Sequence, residues 1–243
     1  FQEARLQSQY IDKAVNDKAD GIIVSPINAD NVRRAIDRAA DVGIPVITTD
    51  ADIDGSRRTC CVSIDSARAS RIAGRLMGQF LDGKGKIAII SSAVSSENNN
   101  YYVQMREHGF TDFLQREYPQ VEIVSCIESF ENPQITYEKT MQLLRDEPEL
   151  RGIYITCGGV AQVGRALIES GRADSVRVLC YENYPEIVEL MRQGVIDWTL
   201  GGDKAQQGAL PVKLIMDELV FGRKPATDRI YTDTRILVKE CFA

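Results

Sequence analysis

The chain has 243 residues, 44% of them hydrophobic, with a formal net charge of -6 and a pI near 5.0. That length and composition suffice to bury a core and to build two lobes, while the acidic balance argues against this portion gripping a polyanion such as nucleic acid, which needs a basic stripe. No run approaches the roughly 18 apolar residues of a membrane span, and Phe1-Gln-Glu-Ala-Arg5 reads as the start of an amphipathic helix rather than a signal peptide.

Leu6, Tyr10, Ile11 and Ala14 share one helical face, and Gly21 to Ser25 follows as a short apolar strand stopped by Pro26. A helix from about Asp30 to Val42 turns Val32, Ala35, Ile36 and Ala39 inward; strands at Ile44 to Thr49 and Thr59 to Ile64 come next. Helix and strand then alternate: helix Ala67 to Leu81, strand Ile87 to Ser91, helix Tyr101 to Arg116, strand Val121 to Ile127, helix Ile135 to Leu144, strand Gly152 to Thr156. The series continues with helix Val160 to Ser170, strand Val176 to Cys180, helix Pro185 to Arg192, strand Ile196 to Leu200, helix Ala205 to Phe221 and a single extended run Ile230 to Lys239. Strands interleaved with helices predict an α/β fold with parallel sheets covered on both faces. The series is too long for one sheet of usual size, so two lobes joined by crossing strands are expected. A doubly wound lobe normally begins with a strand, and this chain opens on a helix. A first strand-helix-strand unit is therefore expected to be absent from the sequence, with part of any ligand site.

In open parallel sheets ligands bind beyond the carboxyl ends of the strands. The buried strand Ile44 to Thr49 delivers Asp50 and Asp52 to such a tip. Both could equally be solvated residues of a turn, because Asp-Ala-Asp-Ile-Asp-Gly55 is also turn chemistry. The same run starts like a calcium loop but has Cys61 where the twelfth-position Glu would stand, so no metal is expected. The loop from Ser91 to Asn100, with Glu97 and three asparagines before Tyr101, carries groups that read hydroxyls, and Phe130 offers an aromatic wall. Trp198, inside an apolar run, is assigned to the core. His108, the one histidine, has no neighbouring serine, cysteine or second ligand, so it builds neither a triad nor a metal site. No Gly-x-Gly-x-x-Gly or Walker pattern occurs; no enzyme activity and no cofactor are expected. The six cysteines lack paired C-x-x-C spacing and read as buried thiols of a reducing cytosol, the alternative being an exported protein with some of them bridged.

The order of Ala19-Asp-Gly-Ile-Ile-Val-Ser-Pro26, Gly43-Ile-Pro-Val-Ile-Thr-Thr-Asp50, Ser63-Ile-Asp65, Gly83-Lys-Gly-Lys-Ile-Ala88, Arg106 with Gly109-Phe110, and Tyr184-Pro-Glu-Ile187 with Gly194-Val-Ile196 resembles the type I periplasmic-binding-protein fold. That fold is shared by sugar-binding proteins of transporters and by effector domains of the LacI repressor family. The resemblance implies two Rossmann-like lobes, residues 1–62 with 203–230 and 63–202 with 231–243, joined by three crossover segments and closing on a ligand between them. It implies hydroxyl contacts from Asp50 and Arg106, a carboxylate accepting two hydroxyls and a guanidinium donating in a fixed fork. The chain departs from the pattern in having Gly158 where the family often has Asn, Glu182 for Asp, and Gly202 for Gln. Gly158 either lends a backbone N–H to ligand or serves a tight turn, and Glu182 either contacts ligand or caps a helix. These departures resemble one subgroup of cytoplasmic regulators. The expectation is a LacI-type effector domain: a homodimer sensing a sugar-like molecule, with DNA read through an upstream helix-turn-helix. The alternative is an exported solute-binding protein of a sugar transporter, placed in the periplasm or outside the cell.

Overall fold

The computed structural model describes residues 2–92 and 101–242. In chain order it contains α1 (Gln2–Asn16), β1 (Ile22–Val24), α2 (Asp30–Asp41), β2 (Val46–Thr49), β3 (Cys60–Ile64), α3 (Ser66–Phe80), β4 (Lys84–Ser91), α4 (Tyr101–Glu117), β5 (Gln120–Glu128), α5 (Pro133–Asp146) and β6 (Leu150–Ile155). After these come α6 (Val160–Glu169), β7 (Arg177–Tyr181), α7 (Pro185–Arg192), β8 (Trp198–Gly202), α8 (Lys204–Phe221), β9 (Arg229–Thr232), β10 (Thr234–Leu237) and a closing 3-10 turn, Lys239–Phe242. The chain forms two units, Phe1–Asp65 with Gly202–Asp233 and Ser66–Gly201 with Thr234–Ala243, and crosses between them three times.

The first unit holds a four-stranded sheet in the order β1-β2-β3-β9, every neighbouring pair parallel. Alternation along the strands splits its core in two. Val46 and Ile22 pack with Val32, Ala35, Ile36 and Ala39 of α2 and Ala4 and Ile11 of α1, while Ile47, Cys60 and Val62 meet Ile215 of α8. The signals that start and stop α8 are local: the Asp203 carboxylate accepts the Gln206 N–H at 3.0 Å, and Gly222 ends the helix in the left-handed conformation, φ 63°.

The second unit is a six-stranded sheet, β10-β8-β7-β6-β4-β5. Its core includes Ile90, Ile153, Ile155, Val178, Leu167, Met191 and Ile196. Asn132 caps α5 by accepting the Gln134 and Ile135 N–H groups, with Pro133 in the first turn, where its missing donor costs nothing. Trp198 is buried core, ring centroid 4.2 Å from that of Phe80. The expected single run from Ile230 to Lys239 breaks at Asp233, because β9 pairs in the first sheet and β10 in the second.

Helices α3 and α4 approach closely through small residues. A Cβ built on Gly78 would lie 2.3 Å from Tyr118 Cδ2, one on Gly74 2.7 Å from Phe113 Cδ1, and one on Gly109 2.2 Å from Ser70 Oγ. The Gly78 contact is with a ring, whose atoms move only together. Gly78→Ala is expected to cost about 1–3 kcal/mol by overpacking, and adding Tyr118→Ala is expected to restore part of it, a non-additivity readable in urea unfolding.

Candidate functional site

The first unit contributes the tip of β2. Asp50 follows its last residue with φ 63° and donates its backbone N–H to the Val62 carbonyl at 3.1 Å, so the chain turns sharply and leaves the carboxylate half exposed. Lys204 Nζ, at the start of α8, stands 3.7 Å from Asp50 Oδ1, and Thr49 Oγ1 donates to the Gln207 carbonyl at 3.1 Å. Asp52, two residues on, has a different role. Its side chain is buried; it accepts from Thr48 Oγ1 at 2.7 Å and from Arg229 Nη2 at 2.7 Å and is paired through both oxygens with Arg58. With its lone pairs occupied inside the unit, Asp52 is an internal counter-ion, which corrects its expected place among open ligand groups. Burial pushes its carboxyl up, but the hydrogen bonds from Arg58 and Thr48 and the Arg58 charge outweigh that and hold it below the usual carboxylate range. Gly202 is also explained by packing: a Cβ there would meet Gln207 Nε2 and Ile64 Cγ2, each at 2.6 Å, and Gln207 Nε2 donates to Thr232 Oγ1 at 3.4 Å.

The second unit gathers more polar groups beyond its strand ends. Arg106, on α4, donates from Nη1 to the Thr156 carbonyl at 3.0 Å, and its guanidinium lies 3.8 Å from the ring centroid of Tyr181, the last residue of β7. Arg106 Nε is buried and has no hydrogen-bond partner among the described residues. Tyr181 is fixed in turn by a 2.7 Å hydroxyl contact with Tyr154, whose ring stacks on Phe110 with centroids 4.0 Å apart. Burial raises both phenols above their ordinary value, the Arg106 charge opposing it, so the pair is a neutral hydrogen bond that sets the plane on which Arg106 rests. Glu182 follows with φ 75°; its N–H donates to the Leu200 carbonyl at 2.9 Å and its own carbonyl accepts from Thr199 Oγ1 at 2.6 Å. Glu182 does not begin α7, which starts at Pro185 with Tyr184 before it.

Phe130, just past β5, has φ 51° and is half exposed, with Lys139 Nζ 5.6 Å from its ring centroid; Glu131 beside it has φ 53°. Ser129 Oγ donates to the Ser91 carbonyl at 2.9 Å and contacts Cys157 Sγ at 3.5 Å. Burial pushes the Cys157 thiol up to about 11. At Cys157-Gly158-Gly159 the left-handed residue is Gly159 (φ 93°), which stands before α6 where a Cβ would strike Thr136 at 2.9 Å. The turn is thus carried by Gly159, and Gly158 sits against Glu131, whose Cδ would be 3.8 Å from its Cβ.

Among the described residues, six non-glycine residues have positive φ: Lys18, Asp50, Asp82, Phe130, Glu131 and Glu182. Lys18 and Asp82 close helices, whereas Asp50 and Glu182 directly follow the parallel strands β2 and β7, and Phe130 and Glu131 come two and three residues after the end of β5. Such conformations cost of order 1–3 kcal/mol each and persist where the surroundings impose them, which concentrates them at functional sites. No sequence signal marks them, since only the fold sets φ. Sequence reasoning also missed Tyr181, Tyr154 and Lys204; the tyrosines end or interrupt apolar strands and read as core. The expected Glu97 and Asn98 to Asn100 group lies outside the described residues. Cys60, Cys61 and Cys180 are buried, Cys157 is half-buried, Cys126 and Cys241 are exposed, and His108 is exposed. Among the described residues no cluster of metal-ligating side chains occurs, and no helix is long and apolar enough to cross a membrane.

Residues 2–224 match the model of the periplasmic binding protein domain. The D-allose-binding periplasmic protein of Escherichia coli (strain K12) is 22% identical over 232 residues, covering 92% of this chain and 73% of its own length. The crystal structure of GanP, a glucose-galactose binding protein from Geobacillus stearothermophilus, is 26% identical, with a TM-score of 0.84 over 96% of this chain and 81% of that one. A transporter solute binding protein from Burkholderia graminis C4D1M, in complex with D-arabinose, superposes with a TM-score of 0.89 at 22% identity, covering 97% and 81% of the two chains. These relatives are named as binding proteins, and the likeness to the solved structures extends over the α/β fold of nearly the whole chain. The chain belongs to the periplasmic binding protein domain family.

Proposed function

We propose that this chain is a receptor for a sugar or sugar-like polyol, working as an exported solute-binding protein that serves a membrane transporter. Asp50 accepts ligand hydroxyls, Arg106 donates to them, and Glu182 and Phe130 add a second carboxylate and an apolar wall. The observation that carries this reading is Arg106: its fork is oriented by Tyr181 and Thr156 while Nε, a buried donor, has no partner among the described residues. The relatives named for D-allose, glucose-galactose and D-arabinose support the ligand class and the transport role, and they move the reading away from a LacI-type regulator. Neither DNA contact nor a homodimer gains support from them, and the periplasmic relative favours export over a cytoplasmic setting. The buried thiols act as small apolar fillers and suit either compartment.

Thermal unfolding with D-allose, D-glucose, D-galactose and D-arabinose tests the proposal. A cognate sugar at about a hundred times its Kd is expected to stabilise the protein by roughly 2.7 kcal/mol, with calorimetry giving the Kd directly. No response to any aldose or polyol, alongside a response to amino acids or nucleosides, would overturn the ligand class.

A further inference from the structure

Helix α3 is the most one-sidedly charged element of this acidic chain: it carries Arg68, Arg71 and Arg75 and no acidic residue. Between α3, α4 and β10 lies an open groove of about 480 Å3 whose floor is Ile72, Leu76, Phe113 and Ile236. The three arginines lie along the same groove at spacings of three and four, so they follow one edge of the helix for about two turns, roughly 10 Å. Arg71 has no ion pair among the described residues; Arg75, half exposed, pairs loosely with Glu117 at 3.7 Å, donates to the Tyr118 hydroxyl at 3.5 Å and rests 5.1 Å from the Phe113 ring centroid. Arg68 has partners of its own. A Phe, two aliphatic side chains of one helix face and a half-exposed Ile from an edge strand make an apolar trough that water covers poorly.

We propose that this groove docks an acidic amphipathic helix of a partner protein. Such a helix would lay apolar side chains at i, i+3 and i+4 into the trough and bring carboxylates along one flank to the arginine edge. Charge complementarity selects the occupant: a neutral helix would leave Arg71 unmatched, and a basic one would set like charge against the arginine edge, at a cost in both affinity and encounter rate. A concave floor suits an inserted ridge of side chains better than a lipid surface, which is met by protruding apolar groups.

The test uses the full chain and a fluorescein-labelled amphipathic peptide of about 16 residues, long enough to hold a helix, with leucines on one face and glutamates flanking them. The same peptide with lysine for every glutamate is the control. Fluorescence anisotropy is expected to show the acidic peptide binding at least about tenfold tighter than the basic one, less so as salt rises. Arg71→Glu with Arg75→Glu is expected to invert that preference. Ile236→Glu, a change at a half-exposed position that spares the core, is expected to weaken the acidic peptide about tenfold with unchanged circular dichroism. Equal binding of both peptides, or no binding of either, overturns the proposal. So does binding of phosphatidylserine vesicles without peptide binding, which would make the surface a membrane contact, or dimerisation in sedimentation that the double reversal abolishes, which would make a second copy the occupant.

Discussion

Replacing Asp52 by Asn is expected to destabilise the first unit by about 3–5 kcal/mol, the cost of breaking a buried ion pair by removing one partner. The Arg58 side chain is 7% exposed and the Asp52 side chain 1%, so the guanidinium left behind has little access to water. Arg229, which shares Oδ2 with Arg58, ties β9 to the same carboxylate and loses its buried anchor as well. The loss depends on pH in a definite direction. Because the Asp52 carboxyl is held below its ordinary value in the folded chain, its contribution is complete above the unfolded carboxylate pKa, about 3.9. It is lost as pH falls through the folded value. Urea unfolding of wild type and variant is therefore expected to differ widely at pH 7 and to converge below about pH 4. Equal midpoints at neutral pH would show that Asp228, whose carbonyl accepts from Arg58 Nη1 at 3.1 Å, suffices for Arg58.

Arg106→Ala is expected to weaken sugar binding at least about a hundredfold while leaving the protein folded. Each charge-assisted hydrogen bond contributes roughly 1.5–3 kcal/mol, and the guanidinium is placed to form more than one, held flat by Tyr181 and anchored through Nη1 on Thr156. Arg106→Lys keeps the charge but not the fork, so about a tenfold loss is expected. Calorimetry with the sugar found in the thermal screen measures both. An Arg106→Ala affinity within about twofold of wild type would remove this residue from the binding set and return its buried Nε to a purely structural account.

The alternation of strand and helix was legible from periodicity alone because each buried strand is an apolar run of the expected length and each helix repeats its apolar residues at three and four. Val32, Ala35, Ile36 and Ala39 are all fully buried, as their spacing requires. The positions of Asp50, Glu182 and Phe130 beyond strand ends were legible for the same reason: a strand that is apolar along its length must shed its polar residues at the tip.

What tertiary structure decided was the state of those residues. Asp50 and Asp52 are indistinguishable in sequence, two carboxylates in one turn-like run; the fold brings Arg58 and Arg229, the latter from 177 positions later, onto one of them and leaves the other half exposed. The Ile230 to Lys239 run is uniform by composition and divides between two sheets only because different neighbours hydrogen-bond its halves. Gly202 reads as a missing contact until Gln207 and Ile64 are seen to fill its space. Sequence periodicity determined which faces are buried, since burial follows from local spacing; long-range partners determined which carboxylates are enclosed by ion pairs and which stay half exposed, since ion pairs, stacking and positive φ depend on residues far apart in the chain.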